Sequence, residues 1–316
     1  MDAEARWDPE MLAVQKAYEQ EAAKHPPVTL TPPLDSHRKV HQALNSTLGV
    51  GEPKMADSAD RWIWTRGRRV FCRVHRPRTD RLLPAVVYMH GGGWVWASVD
   101  THDRLTREYA AGGEVATVVI DYALAPETKF PGAIEECVAM VRHIAQHGSD
   151  WGLDPQRIGV AGDSSGGNLA LATALYLRDH GGPALKGLMT AYPVCDNDFT
   201  RSSYKEYGNG YKLTVEGMKA YWNAYLPHDA DRTHPLAAPL RANLAGLPPT
   251  LIQLAELDPL RSEGEELARR LTGAGVACDL QVYPGMIHGF VRATNAVARA
   301  REAMQHAGAW LRRTMA

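Results

Sequence analysis

Residues 157–179, RIGVAGDSSGGNLALATALYLRD, decide the fold. The stretch begins with RIGVA, an apolar run typical of a buried strand, and continues into NLALATALYLRD, whose apolar residues recur with helical period. Between them lies the pattern G-x-S-x-G, from Gly162 to Gly166. Its flanking glycines permit a cramped backbone, which predicts a sharp strand-to-helix turn that exposes the Ser164 hydroxyl. Ser164 is therefore the predicted nucleophile, and Ser165, which lacks the symmetric glycine flanks, is the alternative.

The segments around this turn repeat the same alternation. From about residue 60 onward, short runs rich in Val and Ile alternate with longer helical segments, the pattern of a parallel sheet covered by helices. Six strands are predicted, at residues 84–90, 115–122, 157–164, 185–192, 250–257 and 277–283. Helices are predicted at residues 101–111, 134–147, 166–179, 261–272 and 293–314. Residues 61–76 alternate apolar and polar side chains across Arg66-Gly67, which predicts an antiparallel hairpin at the sheet edge.

Two segments interrupt this alternation, residues 1–55 and an insertion at about 195–246. The first has helical stretches broken by prolines, and the second is dense in aromatic residues. Ligands bind outside the carboxyl ends of parallel strands, so we predict that both segments form a helical cap over a catalytic domain of residues 56–316. A peripheral helical bundle that only packs against the sheet is the alternative.

Charge and cysteine content narrow the class of partner. The 316 residues include 35 Lys and Arg against 36 Asp and Glu, so the chain lacks the strong field of a nucleic-acid binder. No secretory signal and no membrane span is visible in the sequence. The four cysteines are widely spaced, without a metal-binding pattern. We expect a cytoplasmic protein with a small-molecule substrate and neither metal nor cofactor, and the sequence leaves a homodimer open.

A glycine run follows the strand predicted at residues 84–90. In His90-Gly91-Gly92-Gly93-Trp94, the glycines let backbone N–H groups converge above the sheet, as the stabilisation of an oxyanion requires. We assign such a site to the N–H groups of Gly92, Gly93 and Ser165. A phosphate-binding turn is disfavoured, because neither G-x-G-x-x-G nor a P-loop lysine is present.

The acid and the base are sought after Ser164, because an elbow of this kind is followed by the acid and then the histidine. The apolar run TLIQLAEL ends at Asp258, which places this carboxylate at the catalytic edge, and Glu256 is the runner-up. Two histidines follow Asp258. His288 lies in a predicted loop and His306 in the last predicted helix, so His288 is the predicted base.

Five motifs in this order resemble one known family. HGGGW at 90–94, DYALAPE at 121–127, GDSSGGNLA at 162–170, DPLR at 258–261 and HGF at 288–290 are similar to those of the bacterial hormone-sensitive-lipase-like carboxylesterases. The resemblance implies an α/β-hydrolase fold, the triad Ser164, Asp258 and His288, and a cap, without a cofactor. It also implies short- or medium-chain esters as substrates, and makes Asp121 and Glu127 supports of the catalytic loops. Ser262 departs from the family, many members of which carry an acidic residue there.

The expected reaction is hydrolysis of an ester through an acyl-enzyme on Ser164. An amidase, a lactonase or a sugar deacetylase could use the same groups, and a noncatalytic ligand receptor is a remote alternative that usually lacks the histidine. Five aromatic residues are predicted as walls of the substrate pocket, namely Trp94, Trp96, Tyr207, Tyr211 and Trp222.

Overall fold

The computed structural model describes residues 3–316, with the side chains of all of these except 3, 4 and 46–49. The strands in this part of the chain are β1 (Asp57–Thr65), β2 (Arg68–Arg76), β3 (Leu83–Met89), β4 (Ala116–Ile120), β5 (Leu153–Asp163), β6 (Leu188–Ala191), β7 (Thr250–Leu257) and β8 (Cys278–Ile287). They form one sheet in the order β1-β2-β4-β3-β5-β6-β7-β8.

The α-helices of the same residues are α1 (Pro9–Ala22), α2 (Leu34–Gly49), α3 (Asp103–Gly113), α4 (Gly132–His147), α5 (Ser165–Asp179), α6 (Ser202–Tyr207), α7 (Val215–Tyr225), α8 (Arg261–Gly273) and α9 (Ala298–Thr314). Short 3-10 turns lie at Ala3–Arg6, Asp100–His102, Gly148–Trp151, Asp229–Thr233, Pro239–Arg241 and Phe290–Ala293.

Strand directions follow the predicted pattern. β1 and β2 form the antiparallel hairpin around Arg66-Gly67, and β2 pairs antiparallel with β4. Strands β3 to β8 all run parallel to one another. The predicted α/β-hydrolase fold, a mostly parallel sheet flanked by helices, is therefore confirmed.

Two apolar layers cover the sheet, and β3 shows how the sequence produces them. Every residue of this strand is buried, because both faces of a parallel sheet are covered. Side chains alternate between the faces. Val87 and Met89 join the layer that contains α4, α5 and α8, whereas Val86 and Tyr88 join the layer that contains α3 and α9.

Strand β8 differs from its prediction in a way that affects the site. It continues to Ile287 instead of ending at residue 283, because a bulge lets the chain turn without leaving the sheet. Ala255 pairs with Tyr283, but Leu257 pairs with Ile287. The bulge is held by Gly285, whose φ is +70° and whose N–H donates to Glu256 Oε2 at 2.8 Å. The next residue after β8 is His288.

The N-terminal segment and the insertion contact each other. Arg6 pairs with Glu206 at 2.8 Å, and the rings of Trp7 and Tyr211 stack with their centroids 6.1 Å apart. Residues 1 and 2, with which the predicted N-terminal segment begins, lie outside the described residues. The division into a cap and a catalytic domain stays a prediction.

All four cysteines lie in the described part of the chain as free thiols, with Cys278 half-buried and the other three buried. Among residues 3–316, no helix has both the length and the apolar character needed to cross a membrane.

Candidate active site

Ser164 occupies a strained turn between β5 and α5. Its φ and ψ are 55° and −123°, in a region of backbone conformation that residues other than glycine rarely adopt. Such strain is typical of functional positions. The Ser164 N–H donates to Ala191 O at 2.9 Å, which anchors the turn to β6. A Cβ on Gly166 would lie 2.0 Å from Met89 O, so only glycine lets α5 start this close to β3. The turn leaves Ser164 9% exposed.

His288 and Asp258 reach the same point from the ends of β8 and β7. His288 Nε2 lies 2.9 Å from Ser164 Oγ, and His288 Nδ1 lies 2.7 Å from Asp258 Oδ2. The Asp258 side chain is fully buried, and its Oδ1 accepts the N–H of Leu260 at 2.9 Å. Tyr192 packs its ring 4.6 Å from the imidazole. This chain of hydrogen bonds can carry a proton away from the serine hydroxyl.

The three runner-up residues have other contacts. Ser165 Oγ accepts the N–H of Trp94 at 3.1 Å, so this side chain holds the glycine run in place. Glu256 accepts the N–H of Gly285 in the β8 bulge. His306 Nε2 lies 2.9 Å from Asp279 Oδ2. The structure therefore brings together Ser164, Asp258 and His288.

The glycine run lies beside the serine and has two open N–H groups, those of Gly92 and Gly93. Gly92 and Gly93 have φ values of +129° and +61°, and Gly91 N–H donates to Asp163 Oδ1 at 2.9 Å. Among the described residues, no acceptor takes the N–H groups of Gly92, Gly93 or Ser165. These donors are available to a substrate oxygen, as an oxyanion site requires.

A buried polar cluster supports the run from below. Asp163 Oδ1 accepts the hydroxyl of Tyr88 at 2.9 Å and lies 3.3 Å from His102 Nε2. Burial opposes ionisation of Asp163, but its contacts with His102 and Tyr88 and the nearby charge of Arg292 lower its pKa below the usual range. Burial also lowers the pKa of His90 to about 3, so this imidazole is neutral. The run thus has a fixed anion, Asp163, beneath it.

One cavity of about 490 Å³ contains Ser164 and His288, a volume within the usual range for small-molecule sites. Of the five aromatic residues predicted as its walls, Trp94 and Trp96 line it. The other three do not. Tyr207 and Tyr211 pack against each other near Trp7, and Trp222 is fully buried against Trp94. Their aromatic rings pack in the core between the insertion and the segments that contain Trp7 and Trp94.

Several wall residues were missed by the sequence reasoning. They come from α1, α2, the start of the insertion, α7 and the turn after β8, and are Tyr18, His41, Asn45, Lys212, Leu213, Gly217, Met218, Tyr221 and Arg292. Spacing carried a signal for part of the set. Residues four apart on a helix share a face, as the pairs His41/Asn45 and Gly217/Tyr221 do.

Glu127 and Asp121 are the two residues that the family resemblance implies as supports of the catalytic loops. Arg38 of α2 donates to both carboxylate oxygens of Glu127, at 2.8 and 2.7 Å, and to Val95 O at 3.1 Å, which ties α2 to the loop after the glycine run. Burial raises the pKa of Asp121.

Ser262 Oγ lies 2.6 Å from Ser203 Oγ, so a serine pair occupies the position at which many family members have an acidic residue.

Comparison with known proteins agrees with this geometry. A model of the alpha/beta hydrolase fold family matches residues 86–292. Carboxylesterase NlhH of Mycobacterium tuberculosis is 39% identical over 248 residues, which cover 77% of this chain and 78% of that protein. The ethyl acetate hydrolase of Pseudomonas putida is 35% identical over 269 residues, covering 82% and 84%. The crystal structure of a thermostable esterase from Pseudomonas putida superposes with a TM-score of 0.90 at 34% identity, covering 98% of both chains.

The chain therefore belongs to the α/β-hydrolase fold family, and within it to the bacterial hormone-sensitive-lipase-like carboxylesterases. It is a carboxylic ester hydrolase of the serine esterase class.

Proposed function

We propose that this esterase hydrolyses small carboxylic esters with Ser164 as nucleophile, His288 as general base and Asp258 as the residue that orients the imidazole. The observation that carries the proposal is the unbroken chain from Ser164 Oγ to His288 Nε2, at 2.9 Å, and from His288 Nδ1 to Asp258 Oδ2, at 2.7 Å. Asp258 accepts a hydrogen bond from Nδ1–H, which keeps the ring proton on Nδ1 and leaves Nε2 free to accept the proton of the serine hydroxyl.

In the first half-reaction, Ser164 Oγ forms a bond to the ester carbonyl carbon while its proton moves to His288 Nε2. The carbonyl oxygen gains the negative charge and accepts hydrogen bonds from the N–H groups of Gly92, Gly93 and Ser165. The bond to the alcohol oxygen then breaks, and His288 gives its proton to the departing alcohol. Water, deprotonated by His288, releases the acid by the same steps.

The preferred substrates are esters with short- to medium-chain acyl groups. A cavity of about 490 Å³ supports this preference, since small-molecule sites have this size. Its apolar walls, which include Val28, Leu30 and Leu213, suit an acyl chain or a small alcohol.

The helices of the N-terminal segment and the insertion act as a cap. Tyr18 of α1, His41 of α2 and Tyr221 of α7 line the cavity over the glycine run, which supports this role. The cap therefore selects the substrate, while the ends of the strands supply the chemistry.

A cytoplasmic location and a homodimer complete the proposal. The four free thiols are typical of a reducing compartment. The edge strand β1 carries Trp62 and Trp64, 48% and 72% exposed, and apolar side chains of this size are common at subunit contacts.

A substrate panel tests the proposal. We expect p-nitrophenyl acetate, butyrate and hexanoate to be hydrolysed with much higher kcat/KM than the palmitate, as the proposed preference for short- to medium-chain acyl groups requires. A matched p-nitroanilide, a lactone and an acetylated sugar are measured alongside. Higher kcat/KM on one of these three would reassign the enzyme to amides, lactones or acetylated sugars, and binding without turnover would indicate a receptor.

A further inference from the structure

Lys212, which has no carboxylate partner within ion-pair distance among the described residues, lies in the wall of the cavity. Lys212 Nζ is 5.5 Å from the ring centroid of Tyr18 and 3.5 Å from the position that a Cβ on Gly289 would take, and all three residues line the cavity. Its side chain is exposed, and the protein around it and the charge of Arg292 lower its pKa to about 8. Among the acidic groups described, Glu19 acts on it, more weakly than either of these. Lys212 is still a cation at neutral pH.

Arg292 is a second cation of the same wall, four residues after His288. Its Nη2 donates to Thr101 O at 3.0 Å, while its buried Nε has no hydrogen-bond partner among the described residues. Its charge also lowers the pKa of His41. The guanidinium therefore acts on the cavity wall and has donor capacity left.

The described part of the cavity wall neutralises these two charges only in part. Asp163 is the one carboxylate among the described residues that line it, and it is 3% exposed and bonded to Tyr88 and Gly91. Burial, with the charge of Arg292, lowers the pKa of His41 to about 3, so this imidazole adds no charge. Lys212 and Arg292 thus give the wall two cations against one buried carboxylate, and this excess of positive charge attracts an anion.

We propose that the cavity binds esters that carry a carboxylate group, held by Lys212 and Arg292 while the ester carbonyl reaches Ser164. This inference rests on the proposed function, because it names the substrate class of the same site. An arginine and a lysine recognise a carboxylate through charge-assisted hydrogen bonds, which are about twice as strong as neutral ones.

The carboxylate could belong to either half of the ester, and matched pairs distinguish the two. Monoethyl glutarate against ethyl pentanoate places the charge on the acyl half. 3-Acetoxypropanoate against propyl acetate places it on the alcohol half. Within each pair a carboxylate replaces a methyl group, so the ratio of the two kcat/KM values measures recognition of the charge.

The experiment measures these ratios by acid release at pH 7 for the wild type, Lys212→Met and Lys219→Met. Lys219 of α7 is exposed, pairs with Glu216 at 2.8 Å and lies outside the cavity, so its variant removes the same charge elsewhere. We expect the wild type to prefer the charged member of at least one pair. Lys212→Met lowers that ratio roughly tenfold, as for the loss of one charge-assisted contact, and Lys219→Met keeps it.

Two results overturn the inference and leave the esterase proposal standing: a wild type that prefers the neutral member of both pairs, or a ratio that is the same in Lys212→Met. A wild type that hydrolyses none of the four esters overturns the proposed function itself.

Discussion

Glu263 shows how one buried residue couples the insertion to the catalytic edge. Its Oε2 accepts the N–H groups of Cys195 and Asp196, both at 2.6 Å, and its Oε1 accepts the hydroxyl of Tyr204 at 3.0 Å. Glu263 follows Asp258 by five positions, near the start of α8. The carboxyl group therefore joins the start of the insertion to the helix that follows Asp258.

Burial raises the pKa of Glu263 from 4.5 to about 8, which makes stability depend on pH. The raised value means that the folded state holds a proton that the unfolded state releases above about 4.5. The free energy of unfolding from this group is thus highest below pH 4.5 and falls as the pH rises to about 8.

We expect Glu263→Gln to remove this pH dependence. Between pH 5 and 8, urea unfolding of the wild type loses up to about 1.4 kcal/mol per pH unit more than the variant does, because one proton is involved. Glutamine keeps the shape and both kinds of hydrogen bond. Equal slopes in the two proteins would show that Glu263 is ionised in the folded state.

At the scale of elements, α7 packs against the glycine run. A Cβ on Gly93 would lie 2.6 Å from Cδ1 of Tyr221, so the helix of the insertion packs directly on a proposed oxyanion donor. The φ of Gly93 is +61°, which also favours glycine. The insertion is thus in contact with the glycine run.

Gly93→Ala is expected to lower kcat/KM for p-nitrophenyl butyrate roughly a hundredfold, the usual cost of one lost oxyanion donor. Adding Tyr221→Ala opens the space and restores part of the loss. Gly67→Ala is the matched control, because Gly67 has a φ of +70° but nothing within 4 Å of its Cβ position. It should cost about 1 kcal/mol of stability and leave kcat/KM as it was.

If Gly93→Ala keeps the kcat/KM of the wild type, the N–H of Gly93 does not act on the reacting oxygen. If the double variant shows no recovery, the loss comes from the backbone strain at Gly93 and not from contact with Tyr221.

At the scale of the whole molecule, what the sequence could predict was local. Ser164 and Asp258 each follow an apolar strand, and parallel strands end at one edge, so their meeting is a consequence of topology. His288 came from chain order, although the bulge that brings it to the end of β8 had no visible signal. The six parallel strands follow from apolar runs that alternate with helical segments. The hairpin follows from apolar and polar side chains that alternate along residues 61–76.

The cavity walls could not be predicted in this way, because they depend on packing between distant segments. The side chains of Trp222 and Tyr211 pack in the core, and nothing in the sequence around them distinguishes a core position from a position in the cavity wall. Tyr18 of α1 and Gly289 of the turn after β8 lie beside Lys212, and no sequence pattern links these three segments. Such contacts join residues 194 and 77 positions apart, and one sequence does not pair them.

The central claim is that Ser164 is the group acylated during turnover, and covalent labelling with a fluorophosphonate tests it most directly. Serine oxygen attacks phosphorus, fluoride leaves, and the adduct mimics the tetrahedral intermediate. Intact-mass and peptide-mapping spectra should show one adduct, on Ser164, in the wild type and in the Ser165→Ala control, and none in Ser164→Ala. An adduct on another residue of the wild type, or a labelled Ser164→Ala, would contradict the account.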